Sequence, residues 1–410
     1  MKIKHIRAEE IHDSRGNPTL AVSVACKDGS KGSFSVPSGA STGANEALEL
    51  RDGVGSAAHV SKAIRNIATE INDALIGMDV TDQKALDRAL IALDGTENKS
   101  RLGGNALIGV SAAACCAAAK TKHVELYEHL RTLADIAPSH EKAPFLYMNL
   151  VNGGKHAATR LAFQEYMIVP ETESPQEALA LGIEVMRRVE ERVTALYGSE
   201  ALLIGYEGGI ALDVNDTEIP LRMLSEIRKE IGKRGAFRIA LDVAASSFFE
   251  NGLYRSDDRT LLPDELSERV ATYASTYDLL SIEDPFEEND FASFANLKAA
   301  SPQAIIVGDD LTTTNVQRLQ KAIDESSIGA VVIKLNQVGT VSETLEAMAL
   351  ARKHGIDCIV SHRSGETLDT FISDLAFAFG TFGIKVGAPR MRERMVKIER
   401  LIEIANTNTS

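Results

Sequence analysis

The sequence predicts an α/β fold in two parts, a (β/α) barrel over residues 136–410 preceded by a smaller α+β region over residues 1–135. Three observations lead there. After Pro144, strand-like runs alternate with amphipathic helical stretches: "FRIALDVAAS", "LLSIEDPF", "AIIVGDDLT", "GAVVIKLNQ", "DCIVSHRSGE" and "FGIKVGAP" are apolar and β-branched, as a sheet buried on both faces requires. Each run ends in a polar residue, in turn Asp242, Glu283, Asp309, Lys334, His362 and Lys385, at intervals by subtraction of 41, 26, 25, 28 and 23 residues. A strand, a helix and two short loops occupy about that length. The first 45 residues carry no such repeat. An open doubly wound sheet competes with the barrel, but repetition favours closure, and closure gathers polar strand ends at one mouth.

Taken in order, "TLAVSVACKDG" alternates as a strand and reaches a turn at Asp28-Gly29, and "KGSFSVPSGASTGANEA" runs into a small, Gly-rich loop. From about residue 46 to 130 the pattern turns helical, with "SAAACCAAAK" at the centre of a tightly packed small-residue helix. Beyond Pro144, "NVQRLQKAIDE" and "VSETLEAMALARKHG" are helices between strands.

Composition narrows the function. A chain of 410 residues with 44% hydrophobic content can bury a sizeable core, and a net charge of -14 argues against nucleic acid or an anionic membrane surface as partner. No signal-like leader and no run of about 18 apolar residues is present, so a cytoplasmic protein is expected. Cys26, Cys115, Cys116 and Cys358 lack metal-site spacing and read as small buried hydrophobes.

Three acids from successive strands, Asp242, Glu283 and Asp309, would repel one another without a cation among them. All are oxygen donors with no cysteine or histidine between them, which favours a hard ion such as Mg²⁺ over zinc. One such acid is as well explained as a cap on the following helix; three in succession are not. Lys334 is a general-base candidate, because like charge and desolvation at a barrel mouth disfavour its charged form. In isolation "VVIKL" would read as a snorkelling lysine. His362, Arg363 and Ser364 in "SHRSGE" suit a phosphate or other oxyanion. Upstream, "VNGGKHAAT" carries Lys155 and His156, Glu165 follows in "FQEYMIVP", and Glu207 in "GYEGG" is either a positioned acid or only a turn.

With these residues in view the chain resembles the enolase family, the phosphopyruvate hydratases. "DSRGNPT", "VPSGASTGANEALELRDG", "DGTENKSRLGGNA", "NGGKHA", "QEYMIVP", "EGG", "LDVAAS", "SIEDPF", "GDDLTTTN", "KLNQVGTVSET", "SHRSGET" and "IKVGAP" match its motifs in order over nearly the whole chain. The resemblance implies an unusual (β/α)8-type barrel under an N-terminal α+β cap, a homodimer or higher homo-oligomer, and two Mg²⁺ per site. It implies that Asp242, Glu283 and Asp309 bind the first Mg²⁺ and that Ser41 joins the second. Lys334 would take the proton alpha to the substrate carboxylate, and Glu207, assisted by Glu165, would protonate the departing hydroxyl. Lys385 would bind the carboxylate, His156, Arg363 and Ser364 the phosphate, with Gln164 and His362 lining the pocket.

Several positions depart from the family pattern. Tyr206 stands where an acid precedes the catalytic glutamate, Ile210 and Leu212 replace an aromatic and a proline, Lys155 replaces a small residue, and Ser247 and Leu368 replace acids. Three changes remove negative charge and one adds positive charge. The alternative they raise is a larger or more anionic substrate, as in relatives from phosphonate and phosphinate natural-product pathways such as carboxyphosphonoenolpyruvate synthase. A non-catalytic, structural or surface-binding protein is the reading of a different class, and the presence of both lysines, both glutamates and all three acids argues against it.

Overall fold

The computed structural model describes residues 1–39, 43–53, 58–139, 143–232 and 236–408. The N-terminal part opens with an antiparallel meander of β1 (Ile3–His12), β2 (Pro18–Cys26) and β3 (Lys31–Ser35). The expected turn lies between β2 and β3, where Gly29 adopts a positive φ of 95° and Asp28 accepts the Ser30 N–H. Leu20, Val22, Val24 and Phe34 are buried on the face that meets the helix Gly104–Lys122. That helix has to be lined with small residues, because a Cβ at Gly32 would lie 2.1 Å from the Ala117 backbone nitrogen. Close approach of backbones is what the alanine run provides.

Among the described residues, the helical expectation from residue 46 onward holds only from Ser61. Residues 43–53 contain no helix, because Glu46 and Glu49 engage the surrounding loops and the barrel: Gly43 and Gly39 donate their N–H groups to these carboxylates, and Arg363 donates to Glu46.

The second part contains β4 (Phe145–Asn152), β5 (Glu165–Pro170), β6 (Ile210–Ala211), β7 (Phe237–Asp242), β8 (Phe249–Glu250), β9 (Leu253–Ser256), β10 (Arg259–Leu261), β11 (Leu279–Glu283), β12 (Ile305–Gly308), β13 (Ala330–Ile333), β14 (Asp357–Ser361) and β15 (Gly383–Lys385). Eight of them close a ring in the order β4, β5, β7, β11, β12, β13, β14, β15, with β15 pairing back onto β4; β6 adds to the end of β4, and β8 to β10 form a separate small sheet. That small sheet lies between β7 and β11 and accounts for the long first interval of 41 residues. The predicted helices fall at Val316–Asp324 and Val341–Lys353.

The ring is not wholly parallel, as the strand repeat had implied. β5 runs antiparallel to both β4 and β7, pairing Glu165 with Asn152 and with Asp242. Its first residue therefore sits level with the last residue of β7. Alternation along the strands divides the core: Ala330 and Val332 join Met167, Val169, Ala240, Val307 and Ile359 in one cluster, while Val331 and Ile333 pack into the larger cluster shared with the helices. Among the described residues, no helix is long and apolar enough to cross a membrane. Cys26, Cys115, Cys116 and Cys358 are free thiols, and burial pushes Cys358 up to about 12.

Candidate active site

Strand ends set the site. Asp242 and Glu283 are the last residues of adjacent strands and face each other in register, Asp309 and Lys334 directly follow β12 and β13, His362 follows β14, and Lys385 ends β15. Two contributions come by other routes. Glu165 reaches the same mouth because β5 is reversed, and His156 stands in the short turn Gly154–His156 after β4. The turn needs its glycines: a Cβ on Gly153 would lie 2.3 Å from the Phe163 carbonyl oxygen. Glu207 precedes Gly208, whose φ is +87°, and its carboxylate accepts the Asn149 side-chain N–H at 3.0 Å.

One pocket is lined by His156, Gln164, Glu165, Glu207, Asp242, Asp284, Asp309, Asp310, Lys334, His362, Arg363, Ser364 and Lys385. Of the described residues predicted from sequence, all but Glu283 are in that lining. Glu283 joins through Lys385, whose ammonium lies 2.9 Å from both of its oxygens, 2.7 Å from Glu165 Oε2 and 3.8 Å from Asp242 Oδ2. Ser41 lies outside the described residues. Lys334 pairs with Asp309 Oδ2, and Asp309 Oδ1 accepts from Gln337 at 3.0 Å. His156 Nδ1 is 3.3 Å from Glu165 and 3.5 Å from Glu207, and His362 Nε2 is 3.4 Å from Glu207 Oε2. Arg363 donates to Glu46 at 2.9 Å and to Asn336 at 3.0 Å, so a carboxylate of the N-terminal part reaches the barrel mouth.

Burial without enough compensating cation shapes the electrostatics. Burial, then Glu283, holds Asp242 well above the carboxylate range. Burial raises Glu283 to about 7 against the opposing pull of Lys385, and burial with Asp309 raises Asp310 to about 7. Burial would likewise raise Glu207, but His156, His362 and Arg394 overcome it and hold Glu207 well below the ordinary range. Lys334 departs from expectation. Burial pulls its ammonium down, yet the touching Asp309 carboxylate outweighs burial and the neighbouring cations and leaves it above its ordinary value.

The donor set fits a hard divalent cation: every candidate ligand among the strand-end acids is a carboxylate, and the pocket's carboxylates outnumber Lys334, Arg363 and Lys385. Among the described residues, ligand atoms lie within 4.8 Å of one another in two groups, Asp284 with Asp309 and Asp310, and His156 with Glu165 and Glu207. The predicted trio of Asp242, Glu283 and Asp309 shares the site without forming such a group, since one lysine holds Glu283 and the other holds Asp309.

Sequence reading missed Asn149, Asp310, Asn336, Gln337, Glu46 and Arg394. The doubled acids "ED" and "DD" were the available signal for Asp284 and Asp310. Asp284 has a positive φ of 41° and accepts the N–H groups of Asp309 at 3.0 Å and Asp310 at 2.6 Å, fixing the end of β11 to the loop after β12. Two of the departing positions, Lys155 and Tyr206, line one groove together with Arg15 and Arg51. Tyr206 is 47% exposed with Arg15 6.0 Å above its ring, Lys155 is exposed, and Leu368 lines a different groove beside Val124 and Arg400 rather than the site.

The family model described as "Enolase, C-terminal TIM barrel domain" matches residues 141–410, and "Enolase, N-terminal domain" matches residues 3–130. Curated relatives include the protein named Enolase from Methanopyrus kandleri, 44% identical with 98% of this chain and 95% of that protein covered. Those from Methanothrix thermoacetophila and Sulfurisphaera tokodaii, both named Enolase, are 43% identical (98% and 96% covered) and 41% identical (99% and 96% covered). None of these comparisons favours a phosphonate substrate.

Proposed function

The chain belongs to the enolase family, and from that premise we propose a Mg²⁺-dependent lyase that removes the proton alpha to the carboxylate of 2-phosphoglycerate and eliminates water to give phosphoenolpyruvate. The observation that carries this reading is the meeting of Lys334, Lys385, Glu165, Glu207, His156 and Arg363 in one acid-rich pocket.

The alpha proton is very weakly acidic because its loss puts a second negative charge on the carboxylate oxygens. In this reading Lys334 takes that proton. Lys385 holds the substrate carboxylate, while His156, Arg363 and Ser364 hold the phosphate, with Gln164 and His362 lining the pocket. Glu207, beside Glu165, protonates the hydroxyl, which leaves as water. Glu207 is held well below the ordinary carboxylate range in the free protein, and a dianionic phosphate beside His156 and Arg363 would raise its affinity for a proton and let it serve as the donor. Asp242, Glu283 and Asp309 would hold one Mg²⁺, and Ser41 would join a second. Mg²⁺ held there would supply positive charge for the charge that develops on the substrate carboxylate, and an ion on Asp309 would offset the carboxylate that keeps Lys334 charged. Family likeness further supports a homodimer or higher homo-oligomer in the cytoplasm, acting in glycolysis, with residues 1–135 as cap and 136–410 as barrel.

Absorbance of phosphoenolpyruvate formed from 2-phosphoglycerate is the test. Turnover with Mg²⁺, its loss on chelation and its return on adding Mg²⁺ are expected. A folded, Mg²⁺-loaded protein without turnover overturns the proposal.

A further inference from the structure

We propose that Arg394 is a positioning residue that couples the proton-donor loop to the phosphate loop and sets the tautomer of His362; this deepens, and rests on, the function proposed above. Arg394 stands in the first turn of the helix Arg392–Asn408 and is 0% exposed. Among the described residues it has no carboxylate within ion-pair distance. Its Nη1 donates to His362 Nδ1 and, at 2.6 Å, to the Arg363 carbonyl; its Nη2 donates to the carbonyls of Ser364 at 2.8 Å and Tyr206 at 3.2 Å. A buried charge is costly unless it is hydrogen-bonded, and here all four acceptors belong to the two loops that flank the reacting groups. Tyr206 directly precedes Glu207, while Arg363 and Ser364 are the oxyanion donors, so one planar fork fixes acid and phosphate ligands relative to each other.

The consequence for His362 is chemical. A guanidinium donates and cannot accept, so Nδ1 must present its lone pair and the proton of the neutral ring lies on Nε2. Nε2 is the nitrogen 3.4 Å from Glu207 Oε2. His362 thereby offers Glu207 an N–H; the other tautomer would set a lone pair against the carboxylate. Burial first, and Arg394 against the pull of Glu207, hold His362 below its ordinary value and keep it neutral. The packing leaves no slack: a Cβ at Gly387, where φ is +71°, would lie 2.8 Å from the Glu207 carbonyl oxygen, 3.0 Å from His362 Cε1 and 3.1 Å from Arg394 Cδ. One turn along, Lys397 donates to the Thr367 and Asp369 carbonyls and pairs with Glu366 at 2.8 Å, gripping the rest of the same loop.

The test pairs kinetics with nitrogen NMR of histidine-labelled, full-length protein. In Arg394→Gln, kcat should fall about 10- to 100-fold, with partial return on adding millimolar guanidinium ion and an intermediate loss in Arg394→Lys. In the parent, His362 should show a bare Nδ1 and a protonated Nε2; in Arg394→Gln the proton should exchange between the two nitrogens. A parent proton on Nδ1 overturns the inference, as does a folded Arg394→Gln turning over at the parental rate. If Arg394→Gln fails to fold, the parental spectrum decides. That spectrum also separates this inference from the proposed function, because a protein inactive on 2-phosphoglycerate that still holds the Nε2–H tautomer fails the latter alone.

Discussion

Within the barrel, Met167, Val169, Ala240, Val307, Ala330, Val332 and Ile359 pack hydrocarbon against hydrocarbon, and a few residues along the same strands Asp242, Asp309, Lys334 and Lys385 pack charge against charge. The apolar layer sets the conditions for the polar one. It keeps water from the inner side of the strand-end acids, so Glu283 and Asp310 are pushed to about 7 although cations lie nearby. Binding and chemistry are thus concentrated where folding gains least, and folding gains most where no substrate reaches.

That division is open to being broken by experiment. The largest effect is expected at the mouth: Lys334→Ala should lower turnover by about 10²- to 10⁴-fold and abolish proton exchange at the substrate's alpha carbon without loss of Mg²⁺ affinity. Exchange at the parental rate would remove Lys334 from the base role. Beneath it, Ile359→Ala should cost about 2–5 kcal/mol in urea unfolding while the folded fraction retains parental turnover; a matching loss of kcat would show that floor and mouth are not separable.

Metal removal comes next. At about 100 times its dissociation constant, Mg²⁺ should stabilise the protein by about 2.7 kcal/mol, and Asp309→Asn should weaken Mg²⁺ binding measured by calorimetry, an amide being a poorer ligand than a carboxylate. Equal affinity in the variant would take Asp309 out of the ligand set.

Away from both regions, His129 offers a smaller effect. Burial, then the Lys122 ammonium 3.3 Å away, lowers it from 6.5 to about 4. The unfolded chain therefore takes up this proton first as pH falls. The stability that the neutral ring contributes is complete above pH 6.5 and is lost progressively towards pH 4, by up to about 3 kcal/mol. His129→Gln should flatten that part of the stability profile, and an unchanged slope would exclude His129 as its source.

Legibility in the sequence followed the same division. Strand ends were readable because period and polarity coincide there: Asp242, Glu283, Asp309, Lys334, His362 and Lys385 all fall where the repeat placed them. Glu165 was found by motif, since a reversed strand presents its first residue and no strand-end rule anticipates that. The protonation tendency of Lys334 was misread because burial was weighed without a carboxylate in contact. Glu46, Asn149, Gln337 and Arg394 act across long separations through contacts that no local pattern encodes, and residue 46 in particular sits in a segment that reads as helix.

The reach of Glu46 into the barrel has its own consequence. A barrel expressed alone would leave Arg363 at its mouth without that carboxylate, although Asn336 of the barrel still accepts from it. The charge balance at the mouth is therefore shared between both parts, and an exchange of the N-terminal part that loses Glu46 alters the surroundings of Arg363 even where every strand-end residue is kept.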